Sequence, residues 1–308
     1  MTQPGLVRKL RDTITDVVIK SMGLSSSGWA GKLLAPLIWP AARRFAELFA
    51  AFDGDVTELG ISEAARRLLP HFVQGCRQLG AESIPATGPL LVASNHPGAT
   101  DGIAIAASLP RDDLKIVISD VPFTRALPCA RDHLIYAPRQ PGDRTHTIRE
   151  MIRHLQGGGA VLIFPSGHLD PDPAFLPGAA EGLAEWSRSV ALVLRRVPQT
   201  RLLATIVGGV LVPGFLSHPL TRIGPKGWEQ QRLAEVLQIM QQLLFQVRYA
   251  LTPRVTFGKP VTAAALRDWD TSGDLVPAIV DHARQVLALH LTSEDHASVI
   301  SLPAATGS

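Results

Sequence analysis

The chain has 308 residues, of which 46% are hydrophobic and 19% charged, and it carries a formal net charge of +3. That composition supports a large core and excludes disorder as the main state. The charge excess is too small and too scattered for a nucleic-acid binder, and suits a peripheral membrane protein or one that takes anionic substrates.

Residues 1–72 are expected to form a helical region of their own. The N-terminus has charges spread through it and no continuous apolar core, so it does not read as a signal peptide. An amphipathic stretch runs from Leu6 to Met22 and is broken by SSSG. The next stretch, WAGKLLAPLIWPAARRFAELFAAF, carries Trp29, Leu33, Leu34, Leu37, Trp39 and Phe45, with Lys32, Arg43 and Arg44 interspersed. It suits a helical hairpin packed on the rest of the protein, or an interfacial helix pair lying on a bilayer.

From residue 73 to 292 strand-like and helix-like segments alternate. VQGCRQLGAESIP reads as a strand and turn. PLLVAS (89–94), KIVIS, AVLIF and LLATIV are short aliphatic runs fit for parallel strands buried on both faces. Helices are expected over DGIAIAASL and over 146–156, where Ile148, Met151, Ile152 and Leu155 fall at i, i+3, i+4, i+7. QRLAEVLQIMQQLLFQVRYAL reads as a long helix, RVTFGKPV as a late strand and LVPAIVDHARQVLALHL as a closing helix. The uncharged window 202–220 is interrupted by Gly208-Gly209, Pro213-Gly214 and His218-Pro219, so it reads as a buried strand, a turn and a second apolar segment. The alternation predicts an α/β fold: a mixed, largely parallel central sheet flanked by helices, with an N-terminal helical hairpin or small helical subdomain. Residues 293–308 are expected to be a flexible tail.

Cys76 and Cys129 are far apart and outside any C-x-x-C, which implies neither a disulfide framework nor a zinc site and makes reduced cytosol the expected compartment. No G-x-S-x-G elbow, Walker A loop or G-x-G-x-x-G occurs. Two histidines stand five residues before an aspartate, His96 with Asp101 and His290 with Asp295. With ten histidines and 17 aspartates in 308 residues, roughly half a match at a fixed separation arises by chance, so context must decide. His290 lies near the end of the closing helix with its aspartate in a polar tail, and the pair reads as solvated surface. His96 instead follows a buried strand and precedes Pro97-Gly98, while Asp101 opens the next helix. Strand, turn and helix start would fold the carboxylate back onto the imidazole at the carboxyl edge of the sheet, where ligands of open α/β sheets bind. Asp101 would then hold one ring nitrogen and leave the other as a base, as in hydrolase triads. A helix-capping aspartate beside a turn histidine is the other reading.

NHPGATDG, with Asn95, His96 and Asp101, resembles the N-H-x4-D block of the glycerolipid acyltransferases, the family of glycerol-3-phosphate and lysophosphatidic acid acyltransferases. IYAPR, ending at Arg139, sits where that family has a basic block for the acceptor's phosphate. FPSGH, Phe164 to His168, is similar to the family's F-P-E-G block. VLVPGF, around Pro213, resembles a strand ending in proline near the acyl site, and RVTFGKPV the closing strand. The blocks keep their order from about residue 75 to 262. The resemblance implies direct attack of an acceptor hydroxyl on acyl-CoA or an acyl carrier protein thioester, with His96 and Asp101 catalytic and no acyl-enzyme. It implies glycerol phosphate or a lysophospholipid as acceptor, while the residues around His96 offer no further metal ligands, and no cofactor, no nucleic acid and peripheral contact with the cytoplasmic face of the membrane are expected. Asn95, Arg139, Arg144, Ser166, Gly167 and His168 are the implied substrate-binding residues, and Pro213 marks the acyl site.

The third block departs from the common form, because Ser166 stands where most members have glutamate and no arginine follows before Arg188. The PSG version is similar to that of the soluble chloroplast-type glycerol-3-phosphate acyltransferases. Backbone N–H groups at Ser166-Gly167 could still cradle a phosphate. Two further readings stay open: a non-catalytic lipid- or acyl-chain-binding protein on the same shell, and an acyl-thioester hydrolase in which His96 activates water.

Overall fold

The computed structural model describes residues 3–138, 144–186, 188–222, 227–269, 274–293 and 297–303. Strands β1 (Arg77–Leu79), β2 (Leu90–Ser94), β3 (Leu114–Ser119), β4 (Leu134–Ala137), β5 (Ala160–Ile163), β6 (Arg201–Gly208), β7 (Arg254–Phe257), β8 (Val261–Thr262) and β9 (Ser298–Val299) form, among the described residues, one nine-stranded sheet. The order is β4-β3-β5-β2-β6-β7-β1-β9, with β8 on β6. The run from β4 to β6 is parallel. Beyond it β7 is antiparallel to β6, β1 is parallel to β7, and β9 is antiparallel to β1. The sheet is therefore mixed and mostly parallel.

The helices are α1 (Gln3–Ser21), α2 (Trp29–Leu59), α3 (Ile61–Leu68), α4 (Asp101–Ser108), α5 (Pro122–Arg125), α6 (Arg144–Gln156), α7 (Ala179–Ala184), α8 (Ser189–Arg196), α9 (Pro219–Arg222), α10 (Trp228–Phe245), α11 (Ala263–Trp269) and α12 (Leu275–Thr292). They cover both faces of the sheet, and β2 shows how the sequence arranges this. All five of its residues are buried, and successive side chains point to opposite faces. Leu90 and Val92 pack with Leu68 of α3, Ile105 of α4 and Leu243 of α10. Leu91 and Ala93 pack with Met151 of α6, Val193 of α8 and Ile279 of α12.

The α1–α2 hairpin packs along much of its length. Leu6 and Leu10 meet Ala46, Ala50 and Phe123, and Val18 and Ile19 meet Ile38 and Ala42. Helix α2 continues through Pro36 and Pro40. The carbonyls these prolines leave without a helical donor belong to Lys32 and Pro36, both exposed, where water can satisfy them. One stripe of α2 is uncovered: Trp29 is 82% exposed and Leu33 and Leu37 are each 68% exposed. Trp39 is partly capped by the Arg11 guanidinium, 4.8 Å above its ring. No helix among the described residues is long and apolar enough to cross a membrane.

Two expectations differ from the observed elements. The long helix α10 stops at Phe245 rather than running to residue 251, because Gln246 takes the left-handed conformation at φ 52°. Residues 298–300, expected in a loose tail, extend the sheet: β9 pairs with β1, and the Ile300 N–H donates to the Cys76 carbonyl at 2.8 Å.

Candidate active site

The turn between β2 and α4 brings His96 and Asp101 together. His96 Nδ1 lies 2.8 Å from Asp101 Oδ2. The same carboxylate oxygen accepts the Gly98 N–H at 3.0 Å, which fixes the aspartate inside the turn it closes. Asp101 is 1% exposed and the His96 side chain 30%, so one end of the pair is sealed and the other open. With a buried carboxylate on Nδ1, the proton belongs on that nitrogen and Nε2 is the free basic edge. The imidazole is stacked on Phe164, with ring centroids 4.4 Å apart and planes inclined by 28°.

Three carboxylates surround the imidazole. Burial works against a charge on His96, but Asp101, Glu235 and Asp170 outweigh it and hold its pKa above the ordinary value of 6.5. Asp170 Oδ2 accepts the His96 N–H at 2.8 Å, and the Asp170 N–H donates back to the His96 carbonyl at 2.8 Å. Burial raises the Asp170 pKa even against these donors. Glu235, on α10, accepts the Ala99 N–H through Oε1. Burial pushes its pKa up to about 7, with the Ala99 N–H opposing and Asp101 adding to the rise.

The loop after β5 holds the third sequence block. Gly167 has φ 74°, a left-handed conformation that a side chain would strain. Its N–H closes the turn onto the Phe164 carbonyl at 3.1 Å, so that donor is engaged inside the loop rather than offered to a phosphate. Ser166 Oγ donates to Asp170 Oδ2 and to the His168 carbonyl, both at 3.0 Å. His168 turns away, with Nδ1 on the Leu169 carbonyl at 3.0 Å and Nε2 on Glu185 at 2.8 Å. Thus Ser166 reaches His96 indirectly, through the carboxylate four residues on.

Asn95 is 3% exposed and both ends of its amide are engaged. Nδ2 donates to the Val207 carbonyl and Oδ1 accepts the Val207 N–H, each at 2.8 Å, which stitches the end of β2 to β6. The geometry makes it a brace beside His96, with both ends of its amide already engaged. Pro213 is exposed at the start of a 3-10 turn, Pro213–Phe215, beyond β6. Arg144 is exposed in the first turn of α6. Arg139 lies outside the described residues, as does Asp295.

The second histidine differs from its expected solvated setting. His290 is 2% exposed, with Nδ1 2.9 Å from Thr256 Oγ1 on β7. Burial, assisted by the Arg254 charge, pushes its pKa down to about 3. The reason is helical phase: Ala283, Val286, Leu287 and His290 share the face of α12 that lies on the sheet.

Four residues of this site escaped the sequence reading in these roles: Phe164, Asp170, Gln231 and Glu235. Gln231 Nε2 donates to the Pro97 carbonyl at 2.6 Å and to the Asp170 carbonyl at 2.9 Å. Gln231, Glu235, Gln238 and Gln242 fill one stripe of α10 that carries no apolar residue, so in sequence they read as a solvated face and give no signal of burial.

Together these features define an α/β protein with a carboxylate-held imidazole at the carboxyl end of a parallel strand, an arrangement suited to taking a proton from a hydroxyl or water. Residues 77–197, a segment that contains His96, Asp101 and the Phe164–His168 loop, match the family described as Acyltransferase. Among solved structures it is similar to the 1-acyl-sn-glycerophosphate (LPA) acyltransferase PlsC from Thermotoga maritima. That match has 13% identity, 92% coverage of this chain and 97% of the other, and a TM-score of 0.45. No curated protein sequence matches the chain.

Proposed function

We propose that this protein moves a fatty acyl group from the thioester of acyl-CoA or an acyl carrier protein to a hydroxyl of a glycerol phosphate or lysophospholipid acceptor. The observation that carries this reading is the 2.8 Å His96–Asp101 contact inside the segment that matches the Acyltransferase family, with the His96 side chain 30% exposed. His96 Nε2 takes the proton from the acceptor hydroxyl as its oxygen attacks the thioester carbonyl. The tetrahedral adduct collapses, the C–S bond breaks, and the imidazolium returns its proton to the departing thiolate. Asp101 keeps Nδ1 protonated and stabilises the positive charge on the ring between those two transfers. No acyl-enzyme forms.

The acceptor's phosphate is assigned to Arg139 and Arg144, because the Gly167 N–H and the Ser166 hydroxyl are engaged within their own loop. Pro213 and its turn mark the approach of the acyl chain. The exposed Trp29, Leu33 and Leu37 stripe, with exposed Lys32 and Arg43 on the same helix, favours peripheral contact with an anionic membrane surface. Burying each such apolar side chain is worth roughly 1.5–3 kcal/mol. Replacing Trp29, Leu33 and Leu37 together by serine is expected to abolish flotation of the protein with anionic vesicles; undiminished flotation would remove this part of the reading.

The central test is mass spectrometry of products formed from acyl-CoA or acylated carrier protein with a mixture of phosphorylated and lyso-lipid acceptors. His96→Ala is expected to lower product formation by roughly 100- to 10,000-fold with the fold intact. A fully active variant refutes the base. Thiol release that needs no acceptor would identify a hydrolase, and silence with both donors and every acceptor a binding protein.

A further inference from the structure

Helix α10 presents a buried polar ladder to the site. Gln231, Glu235, Gln238 and Gln242 are all less than 8% exposed and recur at i, i+4, i+7 and i+11, one stripe of the helix. Each rung grips backbone. Gln231 holds the Pro97 and Asp170 carbonyls. Gln238 accepts the Val212 N–H at 2.7 Å and donates to the Val210 carbonyl at 3.2 Å. Gln242 donates to the Phe72 carbonyl at 2.7 Å. Glu235 accepts the Ala99 N–H, within the turn that separates His96 from Asp101.

Three rungs are neutral amides and one is an acid. If anchoring the loops were the whole task, an amide would serve at 235 as it does at the other rungs, without the cost of burying a carboxyl group. The acid stands on the rung that faces the base. Gly98 shows how close the approach is, since a Cβ there would run into the Glu235 carboxyl and into Val210. We propose that Glu235 is a positioning residue of the base, holding the turn between His96 and Asp101 and placing a third carboxyl group, beside Asp101 and Asp170, in the electrostatic field of the imidazole.

This inference rests on the reading of His96 as the base. Titratable groups facing Glu235 are His96 and Asp101 from the β2–α4 turn and Asp172 from the loop after β5, while Asp170 faces His96 from that same loop. An ionised Glu235 favours the imidazolium, so removing its charge makes His96 easier to deprotonate. The sign follows: the acid limb of the activity profile, where protonation silences the base, moves to lower pH when that charge is lost.

The variants Glu235→Gln and Glu235→Ala separate the two roles, because glutamine keeps an oxygen for the Ala99 N–H and alanine keeps neither oxygen nor charge. The first measurement is an NMR titration of the imidazole carbons in the full chain, the His96 signal being identified by its loss in His96→Gln. Glu235→Gln is expected to lower the His96 pKa by at least about half a unit, with an unchanged circular dichroism spectrum. An unmoved His96 titration overturns the proposal, and does so whatever reaction the protein catalyses. The second measurement is kcat for acyl transfer, where Glu235→Gln is expected to keep at least about tenfold more activity than Glu235→Ala. Equal kcat values for the two variants remove the positioning role. A wild-type protein inactive with every donor and acceptor defeats the acyltransferase reading alone, leaving the imidazole titration to decide on Glu235.

Discussion

His96 lies at the carboxyl end of β2 with its ring 30% exposed and a carboxylate on Nδ1, whereas His290 is sealed between α12 and the sheet with a threonine hydroxyl on Nδ1. Both stand five residues before an aspartate. Around His96 three carboxylates overcome burial and raise the pKa; around His290 burial and Arg254 act together and drive it down to about 3. Equal spacing in sequence therefore yields a carboxylate-held, solvent-reached imidazole in one place and a neutral core residue in the other. What separates them is the sign of the neighbouring charge and access to solvent, which spacing does not encode.

Asp101→Asn attacks this contrast most directly. With the carboxylate gone, Nδ1 loses its charged acceptor, the tautomer is no longer held and the imidazolium is less stabilised. Acyl transfer is expected to fall on the order of 100-fold or more, less than in His96→Ala, and the remaining acid limb to move to lower pH. Activity equal to wild type would mean that the aspartate only caps α4. Smaller in effect is His290→Gln, read through stability rather than catalysis. Because the folded pKa of about 3 lies below the ordinary 6.5, the unfolded chain binds a proton that the folded one refuses as pH falls through that window. In urea titrations the wild type should therefore lose up to about 1.4 kcal/mol per pH unit there from this residue. Glutamine should remove that slope and leave acyl transfer above the window intact. An unchanged acid slope would mean that His290 reaches solvent.

The parts of this arrangement legible in the chain were local. PLLVAS announces a strand buried on both faces, Pro97-Gly98 a turn, and Asp101 the start of α4, so the meeting of His96 and Asp101 follows from thirteen consecutive residues, 90–102. Asn95 sits in the same block, yet its role as a brace depends on Val207, 112 positions away. The setting of Ser166 is intelligible only with Asp170 beside it, because the hydroxyl bonds that carboxylate and the carboxylate holds the His96 backbone. His168, adjacent in sequence to that loop's turn, faces Glu185 instead of the base.

By itself the sequence determined what nearest neighbours control: the alternating strands and helices, the two-faced burial of β2, the helical character of the N-terminal region and the strand–turn–helix that brings His96 to Asp101. Those follow from side-chain periodicity and turn chemistry, which act over a few residues. Tertiary structure alone decided which polar groups face inward. Gln231, Glu235 and Gln238 look in sequence like the wet side of an amphipathic helix, but the site loops dock on that side and their backbone groups become its partners. A buried polar group is stable only where such a partner arrives, and the partners of these residues come from the 97–99, 170 and 210–212 segments, brought to α10 by the sheet rather than by the chain.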